Sequence, residues 1–282
     1  YRGDYYMSIN ERNKAIEDYS YAIKLNNENY IHYWDRSRAY IDLKNYSKAI
    51  GDLNKSIELH TLAGHEISRL LNSMGLAYEY QEIYDTALEY YNKSIESDSL
   101  LLAPYRNIAD IYKAQSRYEE SYEMFTKVIE ISSKHRPESE SYYYGLRSRF
   151  LQDIEEYDMA LADISEAISR YDTSSDLEDL RSYYFSRAYM YDVFYEGKYS
   201  KAIEDYLKSN EIRGHATALM NIGVIYRNEL KNTEIIILFS LAAPAIFFGI
   251  YPEPIISTTE VSVNNLIETY NLSLQTNLVK NN

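Results

Sequence analysis

Arginines recur along this sequence in positions from which they could bind a charged ligand. A guanidinium group presents a planar set of donors that matches a carboxylate, and a Trp or Tyr beside it can add a rigid apolar contact. Two interpretations remain open, because the row could bind an acidic ligand or could neutralise Asp and Glu on neighbouring helices. At least one arginine falls in each of five consecutive segments of the chain: Arg38, Arg69, Arg106, Arg149 and Arg187.

The predicted ligand-binding residues add aromatic, amide and charged neighbours to this row. They lie on one face of the predicted first helices of a repeat, offset from the residues that pack inward. The expected ligand is a peptide or a partner protein. If the arginines bind a ligand, that ligand is expected to be acidic. The full set is Trp34, Arg38, Arg69, Asn72, Arg106, Asp110, Lys113, Tyr142, Arg149, Tyr183 and Arg187.

Residue types that serve catalysis or metal binding are present, but they do not form a site. His65 begins the stretch HEISR, yet no second His follows four residues later, as a metalloprotease helix requires. The five His are scattered, and none pairs with another at ligand spacing on one helix face. The chain has no Cys, which excludes a thiol nucleophile and a Cys-based zinc site. The sequence therefore predicts a non-enzymatic protein without catalytic residues, metal site or cofactor.

The composition predicts an acidic, all-helical protein. The 282 residues include 33 Tyr but only 9 Gly and 5 Pro, and the net charge is −14. Few helix-breaking residues favour helices throughout. The negative charge argues against general binding to nucleic acid or to an anionic membrane surface. The absence of Cys fits a reducing compartment, so the expected location is the cytoplasm.

One pattern of residues recurs six times along the chain. Its marker is a small residue, followed four positions later by a bulky one, and this spacing places both on one face of a helix. Because one such unit cannot bury its apolar face alone, a period near 34 residues predicts a stacked array. The markers stand at steps of 34 to 42 residues: Ala15, Ala49, Ala87, Ser121, Ala160 and Ala202.

Each unit is predicted to begin with another helix, in which a small residue precedes a ring by three positions. The small residue lets two helices approach closely, and the ring fills the space beside it. Short polar links such as DLKN and AQSR join the two helices of a unit and predict antiparallel neighbours. The pairs are Gly3/Tyr6, Ser37/Tyr40, Gly75/Tyr78, Ala109/Tyr112, Ser186/Tyr189 and Gly223/Tyr226.

These recurring positions resemble the tetratricopeptide repeat family over about residues 1–230, as six units and one further first helix. The resemblance implies an all-α, right-handed solenoid of stacked helix-turn-helix repeats in residues 1–232, with a concave groove that binds a peptide or another protein. The closing proline that is usual in the family is missing. The predicted function is therefore a non-enzymatic interaction scaffold.

A role as a chaperone co-factor is not predicted. Some members of the family bind the C-terminal carboxylate of chaperones through Lys, Asn and Arg placed over three consecutive units. The matching places in this sequence do not hold that combination, so the pattern fails. They hold Trp34, Arg38, Ser73, Ala103 and Asn107.

Residues 233–282 form a tail that does not continue the repeat. Within it, residues 235–251 are 17 residues without a charge, close to the roughly 20 that span a bilayer, and Pro244 would kink a helix there. Three interpretations stay open: a helix that seals the array, a membrane anchor, or foreign sequence joined by fusion or frameshift. The expected location is accordingly the cytoplasm, with membrane association through residues 235–251 if the second holds.

The tail also resembles a membrane protein. Residues 235–270, with the stretch FFGIYPEPI, are similar to the C-terminus of the chain M membrane subunit of proton-pumping NADH–quinone oxidoreductases. This resemblance implies an apolar, helical tail with membrane affinity but without that family's activity. The alternative function is thus a membrane-tethered or gene-fusion fragment.

Overall fold

The computed structural model describes residues 2–60, 65–172 and 176–229, and these residues form α-helices without any strand. The predicted all-α solenoid of helix pairs is confirmed, with odd-numbered helices as first and even-numbered helices as second members. The helices are α1 (Arg2–Ser8), α2 (Arg12–Leu25), α3 (Tyr30–Asp42), α4 (Tyr46–Leu59), α5 (His65–Glu79), α6 (Tyr84–Ser97), α7 (Leu102–Ala114), α8 (Tyr118–His135), a short 3-10 helix (Pro137–Ser139), α9 (Glu140–Asp153), α10 (Tyr157–Ser169), α11 (Leu177–Val193), α12 (Tyr199–Ile212) and α13 (Ala216–Glu229).

The chain divides into two compact units, Tyr1–Tyr183 and Tyr184–Asn282. In the first unit each helix from α1 to α9 contacts the next one along the chain. In the second unit α12 packs against α13. The predicted domain boundary at residue 232 and the apolar tail lie outside the described residues. No helix within the described ranges is long and apolar enough to cross a bilayer.

Each link between a first and a second helix contains one residue in the left-handed conformation. Such a residue ends a helix by turning the backbone, so that the last carbonyl groups of the helix still accept hydrogen bonds. After α3, for example, the Lys44 amide donates to Ile41 over 2.8 Å and the Asn45 amide donates to Tyr40 over 2.8 Å. The positive φ angles of 58° to 75° occur at Asn10, Lys44, Glu82, Ser116, Glu155 and Gly197.

Glycines in the first helices make room for rings from the second helices. A Cβ atom added to Gly3 would lie 2.5 Å from the ring of Tyr19, and one added to Gly75 would lie 2.5 Å from the ring of Tyr91. In the repeat between them, the corresponding positions hold a larger first-helix residue, Ser37, and a smaller second-helix residue, Leu53. The contacting residues of the two helices therefore compensate for each other in size.

The sequence-based register of the sixth repeat is wrong by two residues. The predicted pair was Ser186/Tyr189, but Ala188 is the fully buried small residue and Tyr189 is 43% exposed. The insertion before α12 explains the error, because α11 itself runs for 17 residues and takes up part of the extra chain. Ala188 therefore directly follows Arg187, just as Ser37 follows Arg36 and Ser148 follows Arg147 in earlier repeats.

The close contact at Gly75 predicts opposite effects for two glycine substitutions. Gly75→Ala should lower the free energy of unfolding by about 1–3 kcal/mol, because the added methyl group collides with Tyr91. Gly51→Ala, at an exposed site of α4 with no described atom within 4 Å, should raise it by about 0.5–1 kcal/mol. Urea unfolding of both variants measures this, and equal effects would refute the size-matched packing.

Candidate peptide-binding face

The first helices of unit 1 lie side by side. Helix α3 contacts α5, and α5 contacts α7. The Lys113 ammonium on α7 forms an ion pair with the Asp153 carboxylate on α9, which joins the next two first helices. We call the surface on this side the odd-helix face and define it by Trp34, Arg38, Arg69, Asn72, Arg106, Asp110, Lys113, Tyr142, Arg149 and Asp153.

Hydrogen bonds across this face connect consecutive repeats. The Trp34 indole nitrogen on α3 donates to the Ser73 hydroxyl on α5 over 3.0 Å. The Asn107 amide on α7 donates to the Asn72 amide oxygen on α5 over 3.1 Å. Sequence spacing alone does not reveal either bond, because the partners lie 39 and 35 residues apart. These bonds fix how neighbouring first helices stand against each other.

A polar cluster lies beneath the middle of the face. Asn107 is only 5% exposed, and its amide oxygen accepts a hydrogen bond from the Arg106 guanidinium over 3.2 Å. The hydroxyl of the buried Tyr91 on α6 donates to the Glu79 carboxylate on α5. The Nε atom of Arg106 is buried and has no hydrogen-bond partner among the described residues. The site therefore retains an unused donor at Arg106.

Four arginines outside the odd-helix face pair with an aspartate on the second helix of the same repeat. In the pair of Arg147 with Asp163, Nε donates to one carboxylate oxygen over 2.7 Å and Nη2 donates to the other over 2.8 Å. Each aspartate lies three residues after the marker residue, and each arginine lies one residue before the small residue. We call them the fork arginines: Arg2 with Asp18, Arg36 with Asp52, Arg147 with Asp163 and Arg187 with Asp205.

Two predicted ligand-binding residues are placed differently from the other nine. Arg187 belongs to the second unit, and its guanidinium holds the Asp205 carboxylate with Nε–Oδ2 of 2.6 Å and Nη2–Oδ1 of 2.9 Å. Tyr183 is 7% exposed, and its ring lies against Gly145. The register error in the sixth repeat explains both placements. A ligand-binding role for these two residues stays a prediction.

The arginines of the odd-helix face have no such fork. The nearest carboxylate oxygen to Arg38 belongs to Asp35 on the same helix, 3.8 Å away, and the Arg38 side chain is 60% exposed. Arg69 and Arg149 are exposed as well. Within the described part of the chain, no carboxylate oxygen lies within 4 Å of the guanidinium of Arg69, Arg106 or Arg149. A ligand-binding role for these groups stays a prediction.

Helix geometry explains why arginines two residues apart differ so much. Successive residues of an α-helix turn by about 100°, so residues separated by two positions point to nearly opposite sides. Arg36 and Arg147 precede the small residue and reach the second helix. Arg38 and Arg149 follow the small residue and lie on the odd-helix face.

Carboxylates on the same face are harder to ionise than usual. Burial among the neighbouring helices raises the pKa of Asp35, Glu79 and Asp110 above the ordinary value. The Asp110 residue is exposed to water, and the surrounding protein atoms nevertheless desolvate its carboxylate enough to raise the pKa. Arg38 lowers the pKa of Asp35, and Arg106 lowers those of Glu79 and Asp110, but burial outweighs both.

Two arginines on α9 that lie two residues apart allow the fork arginines to be compared with the arginines of the odd-helix face. Arg147→Ala should lower the free energy of unfolding by about 3 kcal/mol, because it leaves the Asp163 carboxylate buried without a partner. Arg149→Ala should change the free energy of unfolding by less than about 0.5 kcal/mol, because that side chain is exposed and forms no ion pair with a carboxylate of the described residues. Urea unfolding gives both values, and a similar loss in the two variants would contradict the assignment.

Curated relatives and solved structures share this architecture. The chain is 26% identical over 101 residues to the Hsp70-Hsp90 organising protein of Plasmodium falciparum, a match that covers 35% of this chain and 18% of the relative. It is 30% identical over 96 residues to small glutamine-rich tetratricopeptide repeat-containing protein 2 of Mycosarcoma maydis, covering 34% of this chain and 26% of the relative. The chain thus spans well under two thirds of either relative.

A solved structure matches most of the fold. The C-terminal part of a TPR repeat-containing protein from Cytophaga hutchinsonii superposes with a TM-score of 0.62 and 15% identity, covering 91% of this chain and 97% of that one. At this identity the likeness shows the fold alone. The predicted resemblance of residues 235–270 to an NADH–quinone oxidoreductase subunit is not shown by these comparisons.

Family models agree with the helix pairs. One model described as tetratricopeptide repeat matches residues 2–61, and another with the same description matches residues 68–99 and 104–135. These ranges contain the pairs α1/α2 to α7/α8, with the glycine–tyrosine contacts of Gly3 and Gly75. The chain therefore carries tetratricopeptide repeats and folds as an all-α solenoid of them.

Proposed function

We propose that this chain is a non-enzymatic scaffold that binds a peptide or a partner protein on the odd-helix face. Stacked helix pairs build an extended binding surface, which is the use expected of a repeat array. The name of one relative, the Hsp70-Hsp90 organising protein, describes the organisation of other proteins. Support for the same kind of role in this chain comes from the pattern of its arginines.

One contrast carries the proposal. Four arginines are held in forks by aspartates of the protein itself, whereas Arg69, Arg106 and Arg149 have no such partner in the described part of the chain. An unpaired guanidinium beside an apolar ring is the arrangement that binds a carboxylate side chain. We therefore infer an acidic peptide as the ligand, with Trp34 and Tyr142 as its apolar contacts.

The competing interpretation applies to part of the arginines. Self-neutralisation accounts for the fork arginines, and Arg38 is partly engaged by Asp35 at 3.8 Å. It accounts for less of Arg106, which attracts the carboxylates of Glu79 and Asp110 electrostatically but has no carboxylate oxygen of the described residues within 4 Å of its guanidinium. Hsp70 and Hsp90 themselves are not proposed as partners, because the five matching places do not hold the combination of Lys, Asn and Arg that chaperone-binding members of the family carry.

Charge reversal on the face tests the proposal. Arg106→Glu with Arg149→Glu should weaken binding of acidic peptides selected from a peptide array by more than about tenfold, because two attractive charges become repulsive. Fluorescence anisotropy with the full chain measures the affinity, and circular dichroism confirms folding.

A matched control separates local contacts from net charge. Lys93→Glu with Lys127→Glu makes the same change in net charge at exposed residues that pair with Glu89 and Glu130 within the second helices α6 and α8. Its effect on affinity should stay within about threefold, since long-range charge effects are screened. If both double variants weaken binding equally, or if neither does, the face is not the binding site.

Acidic pH should strengthen binding of an acidic peptide. Burial raises the pKa of Glu79, the hydrogen bond from Tyr91 lowers it, repulsion by Asp110 raises it, and Arg106 lowers it. Burial also raises the pKa of Asp110, against the attraction of Arg106 and Lys113. Both carboxylates therefore lose their charge at a higher pH than usual.

An Asp-rich peptide is the suitable probe, since free Asp ionises with a pKa of about 3.9. As the pH falls below neutrality, affinity should rise, because each carboxylate with a raised pKa that becomes neutral no longer repels the peptide. Asp110→Asn should reduce the rise, whereas weaker binding at lower pH would contradict the electrostatic account.

A further inference from the structure

The last described helix, α13, has one buried side and one exposed apolar side. Its buried side packs into a cluster with residues of α12, including Ile203 and Tyr206. On the other side Leu219 is 41% exposed, Met220 is 61% exposed and Val224 is 40% exposed. Gly223 lies among them, and a Cβ added there meets no atom of the described residues within 4 Å. This surface is the exposed face of α13.

Earlier repeats show what such a face accommodates. The corresponding small residues Gly3 and Gly75 are each covered by a ring from the second helix of their own repeat. Helix α13 has the sequence pattern of a first helix, with Gly223 three residues before the buried Tyr226. The described residues include no second helix after it. Its exposed face is therefore the place that a second helix would occupy.

The chain supplies a segment of the right position and polarity. Second helices begin after links of three to five residues, as between Ser8 and Arg12 or between Val193 and Tyr199. Helix α13 is described as far as Glu229, and five residues separate Glu229 from Ile235, where a run of 17 uncharged residues begins. The apolar run thus starts at the point along the chain where a seventh second helix would start.

We propose that residues 235–251 pack on the exposed face of α13 and take the place of the second helix of a seventh repeat. This contact would remove apolar side chains of both partners from water, which is favourable. A five-residue link also gives the run an effective concentration near its own chain in the millimolar range, which favours it over a second copy at micromolar concentration. The proposal does not depend on the peptide-binding function.

Cysteine labelling tests the contact, because the chain contains no native cysteine. In the full chain, Leu219→Cys should react with a water-soluble maleimide at least tenfold more slowly than Met159→Cys. Met159 is the matched control, since it lies on helix α10 and is 40% exposed against 41% for Leu219. Both variants should react equally fast in denaturant. Equal rates in the folded chain would overturn the proposal.

Cross-linking identifies what covers the face. Leu219→Cys is combined in turn with a cysteine at each position of one helical turn, Leu238, Phe239, Ser240 and Leu241. A short bismaleimide should join at least one pair within a single chain, as read by mass spectrometry. Exclusively intermolecular products would assign the face to a second copy. Protection of Leu219→Cys only after phosphatidylcholine vesicles are added would assign it to a bilayer. Either result overturns the proposal.

Discussion

The close contact between a small residue on a first helix and a larger one on the second helix of the same repeat is the constraint on which the rest of this structure depends. Where Tyr19 and Tyr91 lie against Gly3 and Gly75, no space remains for a Cβ atom. Close-packed interiors tolerate neither voids nor overlap, so the contact fixes the rotation of the first helix about its own axis. That rotation decides which residues turn inward and which form the odd-helix face.

The same rotation assigns the arginines to two roles. An arginine just before the small residue reaches an aspartate of the second helix, as Arg36 reaches Asp52 with both nitrogen–oxygen distances below 3 Å. An arginine just after the small residue, such as Arg149, stays on the odd-helix face. In an acidic chain, this arrangement holds some positive charge inside the fold and keeps other arginines on the odd-helix face.

Local spacing predicted much of this architecture. The marker residues, the size of the residue four positions later and the short links are all visible in the sequence, and they gave the helix pairs. The sixth repeat was read in the wrong register because the length of α11 depends on how an insertion is divided between helix and link. Arg187 was therefore placed in the ligand-binding row, although its partner is Asp205.

Contacts across repeats could not be predicted in this way. The bonds from Trp34 to Ser73 and from Asn107 to Asn72 join residues more than 30 positions apart, and no periodic signal marks them. The hydrogen bond from the Tyr91 hydroxyl to Glu79 has no sequence signal either, because the repeat spacing marks Tyr91 only as a packing residue. Polar networks of this kind depend on the stacking of whole repeats.

Amide hydrogen exchange of the full chain, with and without a bound acidic peptide, tests the central claim most directly. Ligand contact on the odd-helix face should slow exchange in α3, α5, α7 and α9, while the second helices α4, α6 and α8 change little. Slower exchange confined to the second helices would contradict the account, since it would place the ligand on the opposite side of the repeats.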